Sequence, residues 1–456
     1  MIASTPLAGA CGARVQPGRA AGPEAPVRDG NGRRTLAVAG LVLLASLALQ
    51  PQARAQSQKL SLDASLARPA VQAALRDIDT QRPSAVERLI RIGSIVSPSG
   101  QEQERAAEVA RQMRAIGLQQ VATDAVHNVV GIIPGSSAGS IVFVSTLDDL
   151  KTVADYQKAA GQPLHADGDR VVGPGSNTST TTVSMLQAAQ AFLAAGLKPE
   201  RTLVFAAVSQ EETGMAGMRA LYARYRDGAT AFVDVLGDGR SIMYGAITIH
   251  WWKVIAHGPG GHTLNGGLPN VNQGMGRAID RLLPLPYDKH YAGERNVLNV
   301  AIVQSGAVFN HKPDTGWFSL DVRSSDAAVV GVMERDVRAV LKDVSAQTKV
   351  TFEMQAVSET PGGQIPGLRD SDLVQTSAGI ARHLGLTPKL GNLGSSNMNI
   401  PIAGGTPAIG LGGERGGDRG EPGEWADVPQ MLRTAKHVFL LAVSMGGLQS
   451  TAAGAR

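Results

Sequence analysis

The fold class of this chain is decided by the stretch Phe205-Ala206-Ala207-Val208-Ser209-Gln210-Glu211-Glu212-Thr213-Gly214. It begins as a short apolar run and ends abruptly in two acidic residues, Glu211 and Glu212, before a turn. This pattern predicts a buried strand with a carboxylate pair just beyond its carboxyl end. Ligands bind at that edge of an open α/β sheet, so the pair marks the expected functional site.

Two interpretations of the acidic pair are open. Adjacent carboxylates in a pocket repel each other and lose hydration unless a cation, a shared proton or a substrate compensates them. Alternatively, Glu211 and Glu212 form the solvated acidic start of the next helix, where the helix dipole favours negative charge. The pair alone does not separate these interpretations, so the neighbouring motifs must.

Apolar runs and helical patterns alternate on both sides of this stretch. The runs that predict strands cover residues 129–134, 141–146, 203–208 and 231–236. Apolar residues at helical spacing predict helices over residues 102–118, 183–197 and 215–225. This alternation predicts an α/β fold, with a mostly parallel sheet covered by helices.

A different pattern begins near residue 245. Residues 247–255 alternate between apolar and polar, as in a strand of an antiparallel sheet. The elements predicted from there to residue 356 follow the order β-α-β-β-α-β, and the α/β pattern then returns. We therefore predict an inserted α+β domain at residues 246–356, within a catalytic α/β domain formed by residues 56–245 and 357–456.

Residues 1–55 have the pattern of an export signal rather than of a folded segment. Arg33 and Arg34 precede an apolar run at residues 36–49, and Ala53-Arg54-Ala55 supplies small residues for cleavage. The apolar run is too short for a membrane span. We predict a Sec signal, with a weak likeness to twin-arginine signals, and hence a periplasmic or secreted protein.

The export signal also accounts for the formal net charge of +4. It holds six of the 43 basic residues and two of the 39 acidic ones, so the rest of the chain has 37 of each. A neutral chain with few aromatic residues offers no basic surface for nucleic acid or anionic membranes. The single cysteine, Cys11, leaves with the signal, which excludes disulfides and thiolate chemistry in the mature chain.

Gly173-Pro174-Gly175 opens a run rich in hydroxyl groups that extends to Thr182. Because Ser, Thr and Asn often cap helices, this run is either a turn before the helix at 183–197 or the lining of a polar pocket. It lacks the lysine and the spacing of a phosphate-binding loop. No Gly-x-Ser-x-Gly elbow of a serine hydrolase follows a predicted strand either.

Further short motifs are Ser97-Pro98, Asp124 with Asn128, Leu147-Asp148, Gly173-Pro174-Gly175, Glu211-Glu212, Asp238-Gly239, Gly258-Pro259-Gly260-Gly261-His262-Thr263, Asn310, Asp321-Val322-Arg323-Ser324 and Glu424-Trp425. Their order and spacing resemble the M20 family of dinuclear zinc peptidases and amidohydrolases, in particular its peptidase T and glutamate carboxypeptidase-like members. The resemblance covers essentially the whole mature chain. It implies a zinc-exopeptidase-like catalytic domain, a lid or dimerisation domain at 246–356, and a homodimer formed through that lid.

The metal ligands of the family are where this chain departs from the pattern. The resemblance places Thr146 at the first His ligand, Thr178 or a neighbouring hydroxyl at the Asp that bridges the two metals, and Gly420 at the last His ligand. Thr and Gly do not replace His and Asp in a zinc site, so a complete two-metal centre is not expected. His127 or His165 could reach the site from a loop, but a single His is more often structural.

The remaining ligand positions of the family fall on Glu212 and on Asp238, with Asp234 as the alternative to Asp238. This leaves one protein ligand for each metal, whereas zinc sites need three or four. We therefore expect zinc, one or two ions in the family, to bind weakly here or not at all.

Asp148 has lost the His that it would orient, and we expect its carboxylate to bond to Thr146 or Thr178 instead. These hydroxyls, together with Ser179, would shape the pocket. Without a cation beside them, the two glutamates repel each other directly, so one of the pair should have a raised pKa.

Other functional positions of the family are kept. By resemblance, Glu211 is the general base that activates water and then protonates the leaving amine. His262 matches the residue that reaches across the dimer to stabilise an oxyanion, and the match of the whole Gly-Pro-Gly-Gly-His motif favours this role over a turn His beside glycines. Asn310 and Arg323 match residues that grip a substrate carboxylate, with a surface position as the alternative for Arg323.

Three functions fit these residues. The first is an exported M20-like hydrolase with an altered metal site, which cleaves an amide or peptide bond of a small carboxylate-bearing substrate, a peptide or an N-acyl amino acid. The second is a non-catalytic periplasmic protein that binds a peptide or small carboxylate, because a metallohydrolase without its electrophile loses most of its transition-state stabilisation. The third is a metal-independent enzyme that uses Glu211 and Glu212 for a different proton transfer. We expect no nucleic-acid or membrane partner.

Overall fold

The computed structural model describes residues 61–265, 267, 269–291 and 294–449. The predicted export signal at residues 1–55 lies outside the described residues. The helices are α1 Leu62–Leu66, α2 Pro69–Thr80, α3 Arg82–Gly93, α4 Gln103–Ala115, α5 Lys151–Ala160, α6 Ser176–Ala194, α7 Ala216–Tyr225, α8 Val271–Leu282, α9 Tyr287–His290, α10 Ala327–Thr348, α11 Asp372–His383, α12 Asn399–Ala403 and α13 Val428–Gly446. None of the described helices is long and apolar enough to cross a membrane.

The strands fall into a large sheet, a second sheet and two small ones. They are β1 Gln119–Thr123, β2 Val129–Ile133, β3 Ser140–Thr146, β4 His165–Asp167, β5 Arg170–Val172, β6 Thr202–Val208, β7 Ala229–Val235, β8 Ser241–Met243, β9 Thr248–His257, β10 Gly261–His262, β11 Asn296–Asn299, β12 Val303–Ser305, β13 His311–Lys312, β14 Thr315–Ser324, β15 Thr351–Thr360, β16 Lys389–Gly391, β17 Ala408–Gly412, β18 Gly416–Gly417 and β19 Trp425–Asp427.

The large sheet has eight strands in the order β1-β2-β6-β3-β7-β17-β8-β16. Its four central strands, β6, β3, β7 and β17, run parallel. Every residue of β3 is buried, and so is all of β6 except its half-buried first residue. Such continuous burial is typical of parallel strands covered on both faces. The predicted mostly parallel, helix-covered sheet is therefore confirmed.

The parallel arrangement positions the functional site. Because β3, β6, β7 and β17 point the same way, the loops that follow them meet at one edge of the sheet. The acidic pair follows β6, as its apolar run predicted, and Thr146 ends β3. The buried helices α6 and α13 pack against each other and against this sheet, and they provide much of its hydrophobic core.

The second sheet is antiparallel, with strand order β11-β14-β9-β15, and β12 also pairs with β14. Together with α8 and α10 it encloses a hydrophobic core of its own, built around Val254, Phe318 and Met333. The main elements follow the predicted order β-α-β-β-α-β. The boundaries of a separate domain at 246–356 stay a prediction.

Helix α6 begins at Ser176, seven residues before the predicted start at Val183. The hydroxyl-rich run is therefore neither a turn nor a set of caps, but the first two turns of the helix. Some of its hydroxyls are satisfied inside the helix, since the Thr180 Oγ1 donates to the Asn177 carbonyl and the Thr181 Oγ1 to the Thr178 carbonyl. Local bonding of this kind lets Ser and Thr occupy a helix that their sequence pattern argues against. The buried hydroxyls of Ser176 and Ser179 have no hydrogen-bond partner among the described residues.

Candidate active site

Glu211 and Glu212 line a cavity of about 170 Å³ at the carboxyl ends of the parallel strands. The cavity wall comes from the end of β3, from the loops after β6, β7, β16 and β17, and from the start of α6. The lining residues are Thr146, Thr178, Glu211, Glu212, Leu236, Ser395, Ser396, Gly412, Gly413, Arg415 and Arg419.

The carboxylate of Asp148 holds the backbone of the acidic pair. Its Oδ1 accepts the N–H of Glu211 at 2.9 Å, and its Oδ2 accepts the N–H of Glu212 at 3.1 Å. The Ser99 hydroxyl adds a third hydrogen bond at 2.5 Å. Asp148 is fully buried, and it does not line the cavity. The expected bond from Asp148 to Thr146 or Thr178 was wrong, because backbone donors in the next loop already satisfy this carboxylate.

The two residues before the acidic pair are held in the same way. The N–H of Ser209 donates to Oδ1 of Asn128, and the N–H of Gln210 donates to Oε1 of Glu102. Gln210 has a φ of 54°, the left-handed region that a non-glycine residue rarely adopts. These bonds offset the strain at Gln210 and fix the direction in which the following carboxylates leave the strand.

Burial and neighbouring negative charge raise the pKa of both glutamates. The pKa of Glu211 lies well above its usual value, first because the group is desolvated and then because Glu212, Asp234 and Asp148 are close. The pKa of Glu212 is raised by desolvation, and Arg419 opposes this shift. Glu211 is therefore the glutamate of the pair whose pKa is raised more strongly.

The two aspartates proposed for one metal position lie in different surroundings. The Asp238 carboxylate accepts a hydrogen bond from Arg433 at 3.0 Å and lies 3.7 Å from Arg240, outside the cavity lining. Asp234 is buried behind the cavity, close enough to Glu211 to raise its pKa. Burial raises the pKa of Asp234 itself to about 6. The structure thus brings Asp234, rather than Asp238, to the acidic pair.

The hydroxyls expected in the pocket divide into two groups. Thr146 and Thr178 line the cavity, and the Thr146 Oγ1 accepts a hydrogen bond from the Asn397 side chain at 3.1 Å. Ser179 is buried in α6 outside the cavity lining, and its hydroxyl makes no hydrogen bond with the described residues.

Sequence reasoning missed Arg415 and Arg419, which lie in the Gly-rich loop after β17. Both line the cavity, and Nη2 of Arg419 lies 3.7 Å from Oε1 of Glu212. Arg419 is exposed, whereas Arg415 is half-buried, and desolvation together with the charge of Arg419 lowers the pKa of Arg415 to about 10. The only signal in the sequence was two arginines four residues apart among glycines.

Glu424 fixes this Gly-rich loop to the start of α6. Its buried Oε1 accepts the N–H groups of Gly175 and Asn177, both at 3.0 Å, and its Oε2 accepts the N–H of Gly420 at 2.9 Å. Gly420, at the position of the family's last His ligand, thus provides a backbone donor rather than a metal ligand. The carboxylate also satisfies the free N–H groups at the helix N-terminus.

His262 and Asn310 lie together on the side of the second sheet. The Asn310 Nδ2 is 3.2 Å from the His262 Nε2, and the backbone N–H of Leu264 donates to the His262 Nδ1 at 3.2 Å. His262 pairs with His311 in the short ribbon formed by β10 and β13. Neither His262 nor Asn310 lines the cavity of the acidic pair.

Arg323 lies apart from His262 and Asn310, and it does not line the cavity of the acidic pair. Arg323 lies eight residues from Thr315 along β14, which is about 27 Å at the usual rise of a strand. Thr315 pairs with His257, so it marks the end of β14 that is nearer to His262. Its guanidinium forms a two-point ion pair with Asp321, with N–O distances of 2.8 and 2.9 Å. The substrate-gripping set predicted from the sequence is therefore not assembled within one chain.

The residues at this site do not fit a two-zinc centre. Among the residues described, no group of three or more His, Cys, Asp or Glu side chains is placed to hold a metal ion. The cavity offers two glutamates and several hydroxyls as oxygen donors, and it contains two guanidinium groups that would repel a dication. Zinc requires three or four nitrogen, oxygen or sulfur ligands at fixed geometry.

Comparison with known proteins places this geometry in context. Residues 149–444 match the model of peptidase family M20/M25/M40. A succinyl-diaminopimelate desuccinylase of Corynebacterium glutamicum is 23% identical over 339 residues, which are 71% of this chain and 86% of the relative.

Two solved structures share the fold at low identity. Aminopeptidase PepT of Bacillus cereus has 19% identity and a TM-score of 0.66, over 79% of this chain and 97% of that one. A dinuclear metal-binding M20 peptidase of Bacillus subtilis has 14% identity and a TM-score of 0.61, over 81% and 100% of the two chains.

Proposed function

The chain belongs to peptidase family M20/M25/M40, whose members hydrolyse peptide or amide bonds, and from this premise we propose that it is an exported hydrolase of small carboxylate-bearing substrates. The substrate class is a short peptide or an N-acyl amino acid. The site works without bound metal ions, because its metal ligands are altered, and the acidic pair carries the proton transfers.

The observation that carries this proposal is the environment of Glu211. It faces the cavity, and burial and three neighbouring carboxylates raise its pKa well above the usual value. A carboxyl group with a raised pKa holds a proton more tightly than an ordinary one, so it is a stronger general base when ionised and can carry the proton that it has taken. The hydrogen bond from the Glu211 backbone N–H to Asp148 fixes the main chain from which the Glu211 side chain enters the cavity.

The proton transfers in amide hydrolysis follow from this arrangement. The ionised Glu211 takes a proton from a water molecule whose oxygen attacks the carbonyl carbon of the substrate. The C–N bond then breaks, and the same proton passes from Glu211 to the leaving nitrogen. The guanidinium group of Arg419 faces the same cavity and stabilises the negative charge that develops on the carbonyl oxygen.

The test is hydrolysis of a panel of dipeptides and N-acyl amino acids by the wild type and by Glu211→Gln. We expect wild-type turnover of at least one substrate and a loss of about 100-fold or more in the variant. Glu414→Gln is the matched control, because Glu414 is an exposed carboxylate in the neighbouring loop outside the cavity lining. A wild-type rate equal to that of Glu211→Gln across the panel rejects the proposal.

We also propose that the active assembly is a homodimer formed through the second sheet. His262 and Asn310 lie together beyond the Thr315 end of β14, and Arg323 is about 27 Å from Thr315 along that strand. Neither His262 nor Asn310 lines the cavity, so one chain leaves these groups unused. The exposed apolar side chains of Leu264, Val308 and Phe309 flank the same ribbon. Light scattering of the purified protein tests this proposal, and a monomer at assay concentrations contradicts it.

A second function, a non-catalytic binding protein for a peptide or small carboxylate, has one observation in its favour. The cavity combines two arginines with hydroxyls, and the described residues include no group able to hold a metal ion. Calorimetry that shows tight binding of a panel compound, together with no turnover of that compound, selects this function over hydrolysis.

A further inference from the structure

The cavity beside the acidic pair contains a cation that has no hydrogen-bonded or ion-paired partner among the described residues. The Arg415 guanidinium lines the cavity. It makes no hydrogen bond with the residues that the structure describes, and no acidic oxygen of those residues lies within 4.0 Å of it. The side chain is half-buried, so it has lost part of its hydration without gaining a direct bond. A charge in this condition is stabilised when a ligand of opposite sign meets it.

Other arginines in partly or fully buried positions are satisfied inside the protein. Arg105 pairs with Asp149 at 2.6 Å, and Arg433 donates to Asp238 at 3.0 Å. Arg88 donates to three glutamine side chains at 2.7 to 2.8 Å. Arg415 differs from them because the space in front of its guanidinium is a cavity rather than protein.

We propose that Arg415 binds a carboxylate of the ligand inside this cavity, with Arg419 on the same wall, and that these guanidinium groups provide the positive charge for which relatives use metal ions. This inference deepens the proposed function and rests on it for the assignment of the cavity as the substrate site. It assigns to Arg415 the carboxylate recognition that the sequence had suggested for Arg323.

The structure favours Arg415 over Arg323 for a direct reason. The planar fork of Arg323 is occupied by the two oxygens of Asp321, at 2.8 and 2.9 Å, so a ligand would have to displace that pair. Arg415 offers the same fork with donors that no described residue uses, in the cavity that also contains Glu211. A guanidinium binds a carboxylate through two parallel hydrogen bonds when its donors are available.

The charges and size of the cavity define the ligand class. Two arginines and two glutamates line it, so a monoanion is better matched than a dianion such as phosphate, which Glu211 and Glu212 would repel. Thr146 and Thr178 add hydroxyls that bond to polar groups of the ligand. A volume of about 170 Å³ suits a small molecule with one carboxylate and an adjacent amide.

The test is calorimetric titration in the presence of a chelator with N-acetylglycine, and with N-acetylglycinamide as the neutral ligand of matched shape. We expect N-acetylglycine to bind the wild type, and the neutral compound to bind at least tenfold more weakly. Arg415→Gln should weaken the binding of N-acetylglycine by about tenfold or more, and Arg415→Lys by less, because lysine keeps the charge but not the fork.

Arg240→Gln is the control variant, since Arg240 is a half-exposed arginine near Asp238 and outside the cavity lining. It should bind N-acetylglycine as the wild type does. Thermal unfolding of each variant establishes that it is folded. Any of four results overturns the inference. N-acetylglycine binds equally to the wild type and to Arg415→Gln, or the neutral compound binds the wild type as tightly as N-acetylglycine does. Alternatively, N-acetylglycine does not bind at millimolar concentration, or its binding requires added zinc.

This test is independent of hydrolysis. Binding that depends on Arg415, combined with no turnover of any panel compound, rejects the proposed hydrolase but keeps the carboxylate site. Turnover that depends on Glu211, combined with unchanged N-acetylglycine binding in Arg415→Gln, rejects the carboxylate site but keeps the hydrolase.

Discussion

The Asp148 carboxylate accepts the backbone N–H of Glu211 at 2.9 Å, and its second oxygen accepts the next N–H, that of Glu212, at 3.1 Å. A buried side chain at the end of one parallel strand thus fixes the loop at the end of its neighbour. This relationship connects the fold to the chemistry, because it determines where the two glutamate side chains enter the cavity.

Asp148→Asn should reduce both stability and turnover. The amide offers one acceptor oxygen in place of two, so at least one buried N–H in the loop loses its partner, at a cost of about 1–3 kcal/mol. Because Asp148 positions Glu211 rather than touching the substrate, we expect kcat to fall more than KM rises. Asp155→Asn is the control, since Asp155 is half-exposed and pairs with Lys151 on the surface. Urea unfolding and steady-state kinetics measure these effects. An unchanged free energy of unfolding and an unchanged kcat in Asp148→Asn contradict this role.

Asp234 should make stability depend on pH. Burial raises its pKa from 3.8 to about 6, so the folded protein favours the neutral form. The stability that this preference provides is fully present below pH 3.8 and is lost as the pH rises through about 6, where the buried carboxylate ionises. The side chain in Asp234→Asn stays neutral. The variant should therefore exceed the wild type by about 3 kcal/mol in free energy of unfolding when the pH is above the pKa of Asp234 in the folded protein, and it should show no difference in strong acid. Denaturant unfolding across this pH range measures the difference, and a constant difference contradicts the assignment.

Arg105 and Asp149 should be strongly coupled. Their ion pair is 2.6 Å long, with side-chain exposures of 1% and 0%, and two backbone carbonyls complete the bonding of Arg105. Arg105→Met leaves a buried carboxylate without its cation and should cost about 3–5 kcal/mol of unfolding free energy. Arg105→Met combined with Asp149→Leu should recover much of that loss. If the double variant is as unstable as the sum of the single variants, the pair contributes no coupling.

The parts of the site predicted from the sequence are those encoded in one local pattern. The apolar run of β6 followed by two glutamates indicated both the strand and the carboxylate pair, because burial and charge change within a few residues. The start of α6 was misplaced because Ser and Thr favour turns locally, whereas in the folded chain some of these hydroxyls bond to carbonyl groups inside the helix.

The parts that escaped prediction depend on distant segments meeting in space. Arg415 is about 200 positions from Glu211 along the chain, in a Gly-rich loop without periodicity, and only the parallel order of β6, β3, β7 and β17 brings the two together. The choice between Asp234 and Asp238 likewise depends on side-chain direction, since both residues lie near the end of β7.

The most direct test of the central claim is the rate of amide hydrolysis, on the best compound of the panel, before and after removal of metal ions by dialysis against a chelator. Elemental analysis of the same samples gives their zinc content. The account predicts that the rate is unchanged in metal-free protein and falls about 100-fold or more in Glu211→Gln. A rate that disappears with the metal and returns on addition of zinc would contradict it.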